Sequence, residues 1–121
     1  MSLPALVLAY AAASFAHHAH NAAFLDEYPN MPAWLSGGHV YAAWLAITAV
    51  GALRFLLYRR RSETLGLIVL ALYAALGFYG LAHYAAAPWD AHSLGMHATI
   101  WAEVLTAAAL LGTIAGFLAR R

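Results

Sequence analysis

The chain contains no cysteine and, its six basic residues all being arginine, no lysine. The first absence excludes thiol–disulfide exchange, thiolate metal ligation and iron–sulfur clusters, and the second excludes Schiff-base chemistry. Charge is equally scarce. Only 9% of residues are Asp, Glu, Lys or Arg, against roughly 25% in a soluble domain. A net charge of +1 leaves nothing to attract nucleic acid. What remains is a chain of 121 residues, 64% of them hydrophobic, whose natural solvent is lipid. Any metal has to be held by His, Asp, Glu or Met.

The few charges act as punctuation between apolar runs. A helix needs about 20 apolar residues to cross the hydrocarbon core, and four segments have that length: about 3–25, 33–58, 64–87 and 91–119. The first is small-residue rich around Ala11-Ala12-Ala13 and Ser14-Phe15-Ala16. It lacks the basic start of a secretory signal and is read as a membrane helix. Breaks fall at Asp26 to Pro32, at Arg59-Arg60-Arg61-Ser62-Glu63 and at Pro88-Trp89-Asp90. Ser62 is expected to cap the third helix and Asp90 the fourth. The expected fold is an all-α integral membrane protein, a single four-transmembrane-helix bundle. The positive-inside rule places the two arginine clusters, 59–61 and 120–121, on the cytoplasmic side together with both termini. Arg54 can snorkel to that side, and Tyr58 marks its interface; Tyr28, Trp34 and Trp89 mark the outer one. A bacterial inner membrane or a plasma membrane is the expected location.

Seven histidines then all fall in the outer half. Ionisable residues inside a membrane are costly and mark function. In the first span Tyr10, Ser14, His17 and Asn21 share one helix face, and His17 and His20 can reach a common point. His39, His83 and His97 come from the other three spans at similar depth. Glu103, about 9 Å further in than His97, is the one acid expected deep in the hydrocarbon. His18 and His92 are read as interfacial residues off the polar faces. Gly66, Tyr73, Gly77, Gly80 and Tyr84 form a close-packing stripe on the third span.

These residues point to a transition-metal site, of Zn, Cu or Fe, or to haem b. The candidate metal ligands are His17, His20, His39, His83 and His97. His39, His83 and His97 are the candidate cofactor ligands, and Glu103 is the candidate proton carrier or catalytic group. The competing reading for the histidines is a hydrogen-bonded network that holds the bundle together. Two other functions are open: an accessory subunit of a respiratory or photosynthetic membrane complex, and a small-ion or proton transporter. The expected partners are the lipid bilayer and either further copies of the chain or a larger membrane complex; nucleic acid is not expected.

Overall fold

The structure, a computed structural model, describes residues 1–59 and 62–121. Arg60 and Arg61 of the expected charged turn lie outside them, as do the side chains of Tyr58 and Arg59. The described residues are all-helical. The elements are α1 (Leu3–Ala23), α2 (Gly37–Arg59), α3 (Glu63–Leu76), α4 (Ala82–Ala86) and α5 (Leu94–Leu118), with 3₁₀ turns at Leu25–Glu27, Gly77–Leu81 and Trp89–Ala91. The stretches Gly37–Leu57, Glu63–Ala86 and Leu94–Leu118 are long and apolar enough to cross a membrane. The 21 residues of α1 have the length. With Tyr10, Ser14, three histidines and Asn21 on it, α1 is not among the stretches apolar enough to cross by composition.

Helix boundaries differ from the expected ones for local reasons. Ser2 starts α1, its hydroxyl accepting from Ala5 N–H at 3.4 Å. Helix α2 begins at Gly37 rather than near Ala33, because Ser36 and His39 cap it reciprocally. Ser36 Oγ accepts from His39 N–H (3.3 Å), and Ser36 N–H donates to His39 Nδ1 (3.2 Å). Helix α5 begins at Leu94, capped by Ser93 and not by Asp90. Met96 N–H donates to Ser93 Oγ at 3.3 Å, and Ser93 N–H to Met96 Sδ at 3.4 Å. A Ser side chain at the cap satisfies one of the free N–H groups of a first turn. Asp90 sits one turn earlier, in the 3₁₀ segment. Ser62 occupies the cap position of α3 without making a side-chain bond.

Helix α1 packs on α5 and α2, α3 on α2 and α5, and the 3₁₀ segment Gly77–Leu81 on α5. One apolar cluster fills the arginine-bearing half between α1, α3 and α5: Leu6, Tyr10, Leu67, Leu70, Tyr73, Ala74, Ala107, Leu110 and Ile114. A smaller one at the opposite end joins Tyr28, Met96, Ile100 and Val104. Helix α2 flanks this core and presents Leu45, Leu53, Phe55 and Leu56 outward. The two longer loops, 24–36 and 87–93, lie at the same end, where Asn30 donates to the Ala86 carbonyl at 2.8 Å. At the other end Arg121 pairs with Glu63 at 2.9 Å.

Candidate metal centre

The site grows from the inward face of α1. Tyr10, Ser14 and His17, each three or four residues from the next, are all buried. Tyr10 donates its hydroxyl to the Tyr73 carbonyl at 3.0 Å and meets the Tyr73 ring edge-on. About two turns further along α1, His17 Nδ1–H donates to Oε2 of Glu103 on α5, and both side chains are almost fully enclosed. An unpartnered buried carboxylate is expensive, so this bond is the condition for Glu103 to sit where it does.

Glycines make the space. A Cβ on Gly77 would lie 2.6 Å from Tyr10 Cε2 and 2.8 Å from Ala107 Cβ. A Cβ on Gly80 would lie 3.2 Å from His17 Cε1 and 3.5 Å from Glu103 Oε2. The segment carrying both is wound as a 3₁₀ helix, in which residues three apart eclipse, so the two glycines line up toward α1. The third span is therefore not one continuous α-helix. Two residues of poor helix propensity sit where bulky polar rings press on the backbone.

His18 completes the group. Its Nδ1–H donates to the Ser14 carbonyl at 2.8 Å, leaving Nε2 as a lone-pair nitrogen. His17, His18 and Glu103 each offer one ligand atom, and these atoms all lie within 4.8 Å of one another. With the Nδ1 proton of His17 committed to the carboxylate, its Nε2 is also a bare base, and this atom is buried without a hydrogen-bond partner.

The other histidines divide into those that join this group and those that do not. His83 lies beside it, ring centroids 5.4 Å from His17, and its Nε2 accepts from Asn21 Nδ2 at 3.3 Å. His20 turns away from His17 and bonds Tyr28 through Nδ1 at 2.9 Å. Tyr28 is buried, which pushes its phenol up to about 12, so it stays protonated and donates to His20. His97 receives the Tyr84 hydroxyl at Nδ1 (2.7 Å) and stacks on Trp89 with centroids 4.0 Å apart. His39 is exposed, spent on the α2 cap and on the edge of Trp34.

Sequence reasoning passed over two histidines, one of them in the group. His18 is one of the three clustered donors. His92 is buried, donates from Nδ1 to the Pro88 carbonyl at 3.0 Å, and has an unpartnered Nε2. Both use the same device, an imidazole bonded to the carbonyl four residues earlier. The spacing alone carries no signal for it, because every helical residue has such a carbonyl.

No protein-family model, curated protein or solved structure matches this chain.

Proposed function

We propose that this chain is a membrane-embedded metal-binding protein in which four membrane-crossing helices hold a transition-metal ion at His17, His18 and Glu103. The observation that carries this reading is the convergence of three ligand donors from α1 and α5, whose donor atoms lie within 4.8 Å of one another. Two imidazoles and a carboxylate suit Zn, Cu or Fe(II) in their divalent states. Helix α1 joins the other three as a spanning helix because its polar stripe is turned inward, away from lipid. Arginine punctuation puts the loop end, and with it the metal, toward the outer face.

Haem has weaker support. Of its candidate ligands, His97 is stacked on Trp89 and His39 stands apart on the α2 cap. A proton pathway has weaker support too. Beyond Glu103 the seam between α1, α3 and α5 is the apolar cluster from Tyr10 to Ile114. Thr106 and Thr113 spend their hydroxyls on carbonyls of their own helix.

The test is metal titration of the full chain in detergent after chelation. Zn²⁺ or Co²⁺ binds the wild type, and the tight site is lost in His17→Ala and in Glu103→Ala but kept in His39→Ala. Equal binding by all four proteins, or none by the wild type, overturns the proposal.

A further inference from the structure

Helix α2 carries a charge inside its own membrane-length stretch. Arg54 stands three residues before Leu57, the end of that stretch, and so about 4.5 Å short of it along the axis. Its neighbours Leu53, Phe55 and Leu56 are exposed apolar residues. Arg54 does not share their setting. Its stem lies on α3 where Gly66 leaves room: a Cβ on Gly66 would meet Arg54 Cγ at 3.7 Å. The side chain is half-buried, and its Nε is enclosed without a hydrogen-bond partner.

No acid answers this charge among the described residues. The chain has five acids. Asp26, Glu27 and Asp90 belong to the loop end, Glu103 is bonded to His17, and Glu63 pairs with Arg121 at 2.9 Å. The next charges after Arg54 in the sequence are Arg59, Arg60 and Arg61, which add repulsion instead of relief. A cation at this depth needs a counter-charge, and an enclosed donor with no acceptor calls for an occupant. A guanidinium matches phosphate through two parallel N–H···O bonds. Basic pockets between spanning helices on the arginine side of a membrane hold anionic lipid headgroups in this way.

We propose that Arg54, seated on Gly66 between α2 and α3, binds the phosphate of an anionic phospholipid in the leaflet on the arginine side. The headgroup supplies the missing counter-charge, and the acyl chains run along Leu53, Phe55 and Leu56. This site is separate from the metal centre. It rests on α2 crossing the membrane and not on any bound metal.

Native mass spectrometry of the full chain in detergent, with phosphatidylglycerol or phosphatidylcholine added, tests this. The wild type retains one phosphatidylglycerol more tightly than phosphatidylcholine. Arg54→Gln weakens that retention by about 10-fold or more, the worth of a hydrogen bond to a charged group, and Arg120→Gln at the same end weakens it far less. Should Arg54→Gln lose its helical circular dichroism, Arg54→Lys, which keeps the charge but not the fork, is read in its place. Equal retention of the two lipids by the wild type, undiminished retention by the folded Arg54 variant, or an equal loss in Arg120→Gln overturns the proposal. Excess inorganic phosphate leaves the lipid in place; its binding in the lipid's stead would assign the site to free phosphate and overturn the lipid reading.

Discussion

Glu103 and His17 depend on each other, and that dependence sets the outcome of substitutions at either. Glu103→Gln keeps an acceptor for His17 Nδ1–H but removes the charge. Metal affinity is expected to fall by at least about 10–100-fold, the loss typical of altering a residue that merely orients a ligand, because Glu103 in the proposed site holds the ion itself. A competition titration against a chelator of known affinity checks this, and an unchanged affinity would place Glu103 outside the site. A metal held by imidazole and carboxylate needs these groups deprotonated, so binding at the proposed site is expected to weaken as pH is lowered and to recover when it is raised. Tyr10 has a different role. Its hydroxyl bonds a backbone carbonyl within the apolar cluster, so Tyr10→Phe costs about 1 kcal/mol of stability while metal binding persists.

Between helices, contact distance matters more than chemistry. Gly77 is the tightest point, because any Cβ there runs into Tyr10 and Ala107 at under 3 Å. Gly77→Ala is expected to destabilise the fold by about 1–3 kcal/mol through overpacking. Gly112→Ala, on an open face with nothing within 4 Å, should cause no loss. Denaturant unfolding of the two variants in the same detergent gives the comparison, and equal stability would mean that α1 does not seat against the 3₁₀ segment. Gly80→Ala presses on His17 and Glu103 instead, and its effect belongs in metal affinity. The glycine stripe was legible from residues three and four apart. The 3₁₀ winding was not, since it follows from what leans on those glycines rather than from the glycines themselves.

At the scale of the molecule, the arrangement has two unlike ends. One carries arginines, the Glu63–Arg121 pair and both termini; the other carries both longer loops and the histidines. The chain has no cysteine, so single cysteines are clean reporters of side. Under the proposed four-span topology, Asn30→Cys and Asp90→Cys are labelled by an impermeant maleimide from the outer face. Arg121→Cys is labelled only after the membrane is opened. Labelling of Asp90→Cys and Arg121→Cys from the same side would mean that α5 does not cross.

The apolar lengths, the loop positions, the inward stripe on α1 and the gathering of His and Glu103 toward one region followed from the sequence alone. Helical periodicity and the cost of polar groups in lipid are local constraints that each segment obeys by itself. Tertiary structure decided which polar groups meet. It brought His17 onto Glu103 across two helices, placed His18 within reach of both and enclosed His92. It also spent His39 on a cap and His97 on an aromatic stack. Those outcomes depend on the rotation of α1 against α5 and on where two glycines let a ring approach the backbone. A single helix does not encode the rotation of its neighbour.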